Sequence, residues 1–540
     1  MTGDLQAVIR EMAKARGAIV EVTGDRVTAT VRGRTATLDL PADAAAVDVL
    51  ADLPSAFPSR AARGDIREKT LYNIVQDMVE VESGSRLPDA EFRSALPDQL
   101  HADASSRRVL ASVIQRQYWF HPRATRRSAP ATFLTPFHAD LPGAYDYPGR
   151  YKSFRGSLLL FLCFDGGDFD LSLAADVLDF MRSDDGLNPL DREVLRAARA
   201  VAARDRRKLV HDPERLLELD ASLRPDSQIR ARLSRGAFDQ SALDLIRRDL
   251  GTVMTLRLPR HDKVAALVLA LSLHVALYYY RIAFALGEGL EGAAVALDGG
   301  DLGPRPAFGQ AVRFRVGSGG DRPVSGNDPC ARAWWHLDEQ HLLALPASMV
   351  SANVLHAVTR AVLGPAVPQL PDPYDCAAAL RADPAAVQLA ELLCACAAAG
   401  LTHVTGGPLE AHDPGAGGYA LRAAALGTFR GRGSALKQRG RDVVNTMVGG
   451  FGGNLRRNRG RVRFFELDEQ VLFLLVKLVL DGAGVEQMAL QTAFLPALQA
   501  YGLAPQDAAE EELLADALQR LGLLDRYSDA GEATYVRHVS

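Results

Sequence analysis

The first part of the chain changes from a helical to an alternating pattern of hydrophobic positions. Apolar residues recur at helical spacing between Leu5 and Ala15, and the runs AIVEV, RVTATV and RTATLDL then alternate as strands do. The letters GDR between the first two runs are a hairpin turn signal. One helix and three strands can bury one small face, so the pattern predicts a small α/β docking module over residues 1–60.

Residues 61–290 follow a mostly helical pattern and predict a helical core domain. Apolar positions lie at helical spacing in DREVLRAARAVAARDRRKL and in SALDLIRRDLG, which we expect to end at Gly251. The aromatic and basic stretch QRQYWFHPRATRR suits either a nucleic-acid surface or a helix end with Tyr118, Trp119 and Phe120 packed inward. We favour the second interpretation.

The segment from Val264 to Leu286 is long and apolar enough to be weighed as a membrane span. Its second half, however, contains three consecutive tyrosines and Arg281, and an arginine near the bilayer centre costs about 2.5–3.5 kcal/mol on insertion scales. We recognise no second candidate span in the sequence. The pattern therefore favours a buried central helix, capped by Asp262 and ended by Gly287, in a soluble cytoplasmic protein.

Residues 291–428 predict an irregular region followed by helices. Glycine and proline dominate 291–330, where we expect no clear element. The stretch GSGGDRPVSGNDPC resembles a phosphate-binding loop but lacks the Gly-Lys-Ser/Thr ending that such a loop requires. Helices are predicted over 341–363 and 384–400, with the proline-rich loop PAVPQLPDPY between them.

The last part of the chain, from 429 to 540, predicts a basic segment followed by three helices and a hairpin. Asp468 can cap the first helix, the second covers 487–501 with a bend at Pro496, and the third covers 507–521. LLDRYSDAGEATYVRHV then predicts two strands around a turn. This order is typical of a winged helix, so the expected fold class is mainly α with a small α/β N-terminal unit and a C-terminal winged-helix-like domain.

The third of these helices has the wrong charge for DNA. It carries five carboxylates against one arginine, Arg520, and the carboxylates are Asp507, Glu510, Glu511, Glu512 and Asp516. Phosphates would repel them. We therefore expect the winged-helix-like domain to bind protein.

Composition narrows these interpretations only a little. A chain of 540 residues is too long for one hydrophobic core, and 48% hydrophobic with 24% charged residues is ordinary for a globular protein. The net charge of -4 predicts no polyanion binding by the chain as a whole. The five cysteines fit no zinc-binding spacing, so we interpret them as reduced, small apolar residues.

Positive charge is concentrated between Arg430 and Arg463. Ten basic residues and one acid, Asp442, give this segment a local charge of +9 (10 − 1). Arginines interspersed with glycines suit a flexible segment that follows a phosphate backbone. A solvated loop and a protein-docking surface remain the alternatives. The predicted nucleic-acid-binding residues are Arg432, Lys437, Arg439, Arg441, Arg456, Arg457, Arg459, Arg461 and Arg463.

No complete catalytic motif is present in the sequence. It lacks a Walker A motif, H-E-x-x-H and G-x-S-x-G. His336 and His341 in HLDEQH are five residues apart, which places them on different faces of an α-helix and argues against a shared metal ion. The predicted protein therefore has no metal, no cofactor and no catalytic residue.

A cluster of carboxylates offers a rival prediction. FDGGDFD brings together Asp165, Asp168 and Asp170, and clustered carboxylates can hold Mg²⁺ in nucleases. A lysine partner at nuclease spacing is absent, so a capped turn into the helix LSLAADVLDFM is favoured. A divergent Mg²⁺-dependent nuclease and a winged-helix transcriptional regulator stay open as alternatives.

Three segments resemble the DNA phosphorothioation-dependent restriction protein DptG family. They are LIRRDLGTVMTLRLPRHDKVAALVLALSLHVALYYYRIAFALG, RDVVNTMVGGFGGNLRRNRGRVRFFELDEQVLFLLVKLVL and the ending RYSDAGEATYVR after LQRLGLLD. Together they lie within 240–290 and 435–537, under a third of the chain. The small unit at 1–60 and the region 291–330 have no counterpart in this resemblance.

The resemblance implies a non-catalytic subunit of a bacterial restriction or phage-defence complex. Members of that family act with an ATPase partner and a HerA-like helicase partner to restrict DNA that lacks the protective phosphorothioate. From the resemblance we expect a scaffold for such partners, and from the charge pattern we expect contact with the DNA backbone. Whether this chain serves phosphorothioate restriction or a sister system is left open at this point.

Overall fold

The structure is a computed structural model. It describes residues 3–51, 71, 74–81, 86–120, 133–146, 157–165, 168–204, 208–222, 239–306, 311–316, 325–364, 372–430, 435–444, 455–459, 461–527 and 533–538. Over these residues the chain is mainly helical with a few small sheets. The prediction of a mainly α protein is confirmed.

Helices supply most of the framework. In chain order, the α-helices of the described part cover Gly3–Ala15, Ala44–Leu50, Asp89–Ala95, Ala104–Gln117, Asp140–Ala144, Ser157–Leu162, Ser172–Arg182, Pro189–Arg204, Arg215–Ser222, Gln240–Thr255, Arg260–Leu297, Pro329–Trp334, Leu345–Leu363, Pro373–Leu380, Pro384–Val404, Gly417–Arg430, Ala435–Asp442, Glu469–Ala483, Leu495–Ala500 and Ala508–Arg520. Two further segments, Trp335–Leu342 and Leu490–Phe494, are π-helical.

Three sheets have three or more strands among the described residues. The first consists of Ile19–Thr23, Arg26–Val31 and Arg34–Asp39, and the second, in spatial order, of Arg456–Arg459, Val462–Leu467, Val312–Val316 and Leu503–Pro505. The third, in spatial order, consists of Gln487–Ala489, Ala533–Arg537 and Leu524–Tyr527. Short two-stranded pairs are formed by Val79–Val81 with Leu209–His211, Leu87–Pro88 with Tyr145–Asp146, Trp119–Phe120 with Phe133–Leu134, and Phe164–Asp165 with Asp168–Phe169.

The N-terminal helix and three strands form as the pattern predicts. The strands are antiparallel neighbours, with Val27 opposite Leu38 in the second pair. The buried side chains of this unit belong to one hydrophobic cluster with helices from 293 to 436. Arg16 also forms a buried ion pair with Glu391 at 2.6 Å. The predicted division into four segments stays a prediction, and the hydrophobic clusters cross its boundaries.

The central helix, Arg260–Leu297, organises the rest of the fold. Its 38 residues extend about 57 Å at 1.5 Å per residue. It begins at Arg260 rather than at a cap on Asp262, and it continues through Gly287, so both predicted ends are wrong. Its first part packs in one hydrophobic cluster and its last turns in a second. The central helix therefore connects the two largest cores of the described residues.

Polar side chains of the central helix are buried against polar partners. Arg281 pairs with Asp239 at 2.5 Å, and Tyr280 donates a hydrogen bond to Asp338 at 2.8 Å. His274 Nε2 lies 2.9 Å from Asp249, whose carboxylate also accepts from Tyr501. These pairs are the reason why a helix of this composition can lie inside a protein core.

Two described helices are long and apolar enough to cross a membrane by length and composition, and the sequence pattern had revealed only one. They are the central helix and Pro384–Val404, and the bent pair Pro329–Leu342 and Leu345–Leu363 would make a third if it counted as one span. The apolar windows of the first two are 89% and 78% buried inside the protein. From Arg281 in the sequence we expected the central helix to be buried in protein and not in a membrane, and the structure shows it buried in protein.

The region 291–330 contains a strand where none was expected. Val312–Val316 lies inside the four-stranded sheet and pairs in parallel with both neighbours, as in Phe314 opposite Phe465 and Val312 opposite Leu503. The letters VRFRV alternate as a strand should, but they are surrounded by glycines and prolines that suggest only loops. Their partners lie more than 140 residues later in the sequence.

Smaller predictions have mixed outcomes. All five cysteines are unpaired and buried, as expected. Tyr118 and Trp119 are packed inward, and the side chain of Phe120 lies outside the described residues. The helix Gln240–Thr255 continues through Gly251, so the predicted end there is wrong.

Candidate nucleic-acid interface

The arginine-rich segment forms a β-hairpin where it is described. Arg456–Arg459 pairs antiparallel with Val462–Leu467, and we call these two strands, together with Arg461 just before the second strand, the arginine hairpin. Its first strand lies at the edge of the four-stranded sheet. Phe464 and Phe465 of its second strand are both buried, so the hairpin is held by apolar contacts. The expectation of a flexible segment is wrong for these residues.

Arg457 is engaged within the protein. Its guanidinium lies 3.2 Å from the carboxylate of Glu466 and 3.0 Å from that of Asp468. Both acids follow the basic segment directly in the sequence, and the local charge of +9 did not include them. Asp468 also caps the next helix by accepting from the Val471 amide at 2.9 Å, as predicted. The charge of Arg457 is therefore largely neutralised by its neighbours.

Arg461 and Arg463 present their charge to solvent. Arg461 is exposed and forms no ion pair within the described part of the chain. Arg463 is 53% exposed and lies 3.5 Å from Glu339, while its guanidinium stacks over the Trp334 ring at 5.3 Å. A long, exposed ion pair of this kind is weak, and stacking orders the side chain without removing its charge.

The basic residues before the hairpin belong to other elements. Lys437, Arg439 and Arg441 lie on the helix Ala435–Asp442. Arg439 donates to the backbone oxygen of Asp48 at 2.8 Å, and Arg441 is exposed. For the remaining three predicted DNA contacts, either the whole residue or its side chain lies outside the described residues. These three are Arg432, Arg456 and Arg459. The described cations are thus divided between a helix and a hairpin.

One carboxylate of the acidic helix in the terminal segment is buried in the protein, and the other four are wholly or partly exposed. Glu510 is buried, and its carboxylate accepts from the Val316 amide at 3.0 Å and from Arg315 Nε at 3.2 Å. Burial lowers the pKa of Arg315, but Glu510, together with Cys330 and Asp328, more than offsets this effect, so the pKa of Arg315 is raised. Asp507 caps the helix by accepting from the Glu510 amide at 3.0 Å. The start of this helix is thereby docked on the four-stranded sheet.

One carboxylate of the rival cluster, that of Asp170, is engaged in the turn before the next helix. Asp165 and Asp168 are opposite each other in a two-stranded pair, and their side chains lie outside the described residues. Asp170 accepts from the Ser172 amide at 2.9 Å, immediately before the helix Ser172–Arg182. This hydrogen bond lowers the pKa of Asp170. The carboxylate of Asp170 is therefore used by the turn.

The geometric premise used for His336 and His341 is wrong. Trp335–Leu342 is π-helical, so residues five apart lie on the same face instead of about 140° apart as in an α-helix. The Nε2 atoms of the two histidines are 3.0 Å apart, and each is 3.2 Å from Oε1 of Glu288 on the central helix. The local sequence carries no signal for the wider helix, and Glu288 is distant in sequence.

Comparison of the chain with protein-family models returns no match, and comparison with curated proteins returns none either. These two comparisons therefore provide no relative whose function bears on the chain.

Proposed function

We propose that the chain is a non-catalytic subunit of a bacterial DNA restriction or phage-defence complex. In this role it scaffolds an ATPase and a HerA-like helicase in the cytoplasm and touches the DNA backbone with the arginine hairpin. The resemblance of three segments to the DptG family motivates the choice of complex. The observation that carries DNA contact is the pair of exposed guanidinium groups, Arg461 and Arg463, on a hairpin held at the edge of a sheet.

Backbone contact fits this arrangement better than base reading does. A guanidinium group on a fixed strand can meet a phosphate without loss of much chain entropy, and phosphate contacts carry no sequence information. The charge of Arg457 is neutralised by Glu466 and Asp468. Within the described hairpin we therefore propose that Arg461 and Arg463 contact DNA. Arg441, which is also exposed, is an additional candidate on the preceding helix.

We assign a winged-helix-like fold and a protein-binding role to the terminal segment. Its order is helix, strand, helix, strand, helix, strand, strand. The strand Leu503–Pro505 joins the four-stranded sheet, and among the other three strands, which form one antiparallel sheet, the last strand lies in the middle. The third helix, which reads the major groove in DNA-binding members of that class, here carries the buried Glu510. A helix that is acidic and docked on its own protein is a poor reader of a groove, which favours partners over DNA at this end.

The subunit role is tested by purification of the full chain from its own cells, with the co-purified proteins identified by mass spectrometry. The proposal predicts an ATPase and a HerA-like helicase at stoichiometric amounts. A chain that purifies alone, or with neither protein, would overturn the assignment to such a complex.

DNA contact is tested separately by retention of duplex DNA of unrelated sequence at fixed salt. Arg461→Ala with Arg463→Ala should weaken retention, and Arg26→Ala with Arg32→Ala, two exposed arginines of the N-terminal sheet, should not. Arg457→Ala should have the smaller effect within the hairpin. Equal retention by both double variants would remove DNA contact from the proposal while leaving the subunit role standing.

A further inference from the structure

Three potential metal ligands meet where the π-helical segment crosses the central helix. Glu288 Oε1, His336 Nε2 and His341 Nε2 form a triangle with sides of 3.0, 3.2 and 3.2 Å. Within the described residues they are the one group of three such side chains whose ligand atoms converge this closely. An ion about 2.1 Å from all three atoms would lie roughly 1 Å outside their plane, with angles of about 90–100° between ligands. That is the geometry of three adjacent positions in a coordination shell.

Hydrogen bonds among the three ligand atoms cannot pair all of them at once, whereas a bound cation can. His336 Nδ1 lies 2.7 Å from the Gln340 side-chain oxygen, which fixes the proton on Nδ1 and leaves a lone pair on Nε2. Glu288 contributes a second acceptor, because its carboxylate Oε1 lies 3.2 Å from each of the two Nε2 atoms. One proton on His341 Nε2 can point at only one of these acceptors. A cation in the centre attracts all three atoms at once.

The surrounding residues position the ligands. His341 is 6% exposed, and its ring lies so close to Gly287 that a Cβ at that position would be 2.0 Å from His341 Nδ1. Phe284, one turn earlier on the central helix, meets the same ring edge-on at 6.4 Å. The hydrogen bond from Tyr280 to Asp338 fixes the π-helical segment to the same face of the central helix. Gln340 orients His336 as outer-shell partners of metal-bound histidines do.

A small cavity adjoins the cluster. It measures about 40 Å³ and is lined by Gly287, Gln340, His341, Ser348, Ser351 and Arg422 among others. The serine hydroxyls and the guanidinium make this space polar, so it can hold ordered water. Water molecules on this side can complete the coordination shell that the three side chains leave open.

We propose that Glu288, His336 and His341 bind one divalent transition-metal ion of the zinc class. Two imidazoles with one carboxylate suit Zn²⁺, Fe²⁺ and their neighbours, whereas Mg²⁺ and Ca²⁺ prefer oxygen ligands alone. The ion ties the π-helical segment to the central helix. This site is independent of the role proposed for the arginine hairpin.

The proposal is tested on the untagged full chain after treatment with a chelator and dialysis. Zn²⁺ titrated by calorimetry should bind at one equivalent, and Co²⁺ should give a visible absorption band typical of nitrogen and oxygen ligands. Mg²⁺ should neither bind at this site nor displace Zn²⁺. Less than a tenth of an equivalent of bound Zn²⁺, or a Co²⁺ spectrum identical to that of free Co²⁺, would overturn the proposal.

Variants separate the cluster from adventitious binding. His336→Ala should lower Zn²⁺ affinity by more than about 100-fold because it removes one of three ligands, and Gln340→Ala by about 10–100-fold because it removes the outer-shell partner. His336 is half exposed, so its loss leaves the core intact, which circular dichroism checks. His101→Ala, an exposed histidine elsewhere, is the matched control and should bind as the wild type does. Unchanged affinity in His336→Ala and Glu288→Gln would refute the site.

Discussion

Replacing Arg281 by methionine should destabilise the protein strongly, because Arg281 holds together three parts of the largest core. Its Nε lies 2.5 Å from Asp239, and the side chains of this ion pair are 5% and 3% exposed. Its other nitrogens donate to the backbone oxygen of Ala500 and to the hydroxyl of Ser241. The side chain thus ties the central helix to the start of helix Gln240–Thr255 and to the end of helix Leu495–Ala500.

The size of the loss in stability follows from the buried groups that have no partner once methionine replaces Arg281. The methionine side chain fills most of the space of the arginine stem, so the loss is mainly electrostatic. A buried carboxylate without its partner costs about 3–5 kcal/mol. Asp239 keeps two hydrogen bonds, from the Ala242 amide at 3.1 Å and from Ser241 at 2.7 Å, and these offset part of the cost. We therefore expect Arg281→Met to lower the free energy of unfolding by about 3 kcal/mol.

The assay is urea-induced unfolding of the full chain, followed by circular dichroism, in a double-mutant cycle. Arg281→Met combined with Asp239→Asn should recover much of the lost stability, since the neutral amide oxygen can still cap the helix. Arg26→Met, which breaks an exposed ion pair with Asp39, is the matched control and should leave unfolding unchanged. If Arg281→Met unfolded at the same urea concentration as Arg26→Met, the buried ion pair would be refuted.

Three further perturbations give distinct outcomes. Gly287→Ala should displace the His341 ring, abolish Zn²⁺ binding in calorimetry and cost about 1–3 kcal/mol in urea unfolding, and unchanged Zn²⁺ affinity would contradict the close packing. Burial, helped by the Glu391 charge, raises the pKa of Asp298 from 3.8 to about 6, so ionisation of Asp298 costs the folded state stability as the pH rises through this range. Asp298→Asn should therefore melt higher than the wild type at pH 7 and equally below about pH 4, and a difference that is constant with pH would contradict this sign. Glu510→Ala should lower the free energy of unfolding by about 3 kcal/mol in urea because it leaves the Arg315 guanidinium with only the longer ion pair to Asp328 at 3.9 Å and the Val316 amide without its acceptor, and wild-type unfolding would show that the acidic helix is not docked there.

Local signals predicted the elements that depend on local chemistry. The N-terminal helix and strands, and the cap at Asp468, lie where hydrophobic period and capping residues placed them. The strand Val312–Val316 was missed because its stability comes from partners more than 140 residues away, and nothing beside it in the sequence marks it as a strand. The ends of the central helix were misplaced because tertiary packing overrides the weak preference of Gly287 for a helix end.

The directions of the arginine and histidine side chains were predicted less well than the elements. A count of arginines identifies the basic segment, but it cannot show that Arg457 forms ion pairs with Glu466 on the neighbouring strand and with Asp468 just after that strand. The histidine pair was rejected as a metal site on α-helical geometry, and the wider π-helix removes that geometric objection. Both errors have one physical cause: the direction of a side chain depends on backbone geometry that composition and spacing leave undetermined.

The salt dependence of duplex binding by the full chain tests the central claim most directly. If Arg461 and Arg463 each neutralise a phosphate, the slope of log affinity against log salt concentration should become shallower by about 1 for each arginine replaced by alanine. The double variant should therefore lose about 2 from the slope of the wild type, equally on unrelated DNA sequences. A slope that is the same in both proteins would contradict backbone contact by the arginine hairpin.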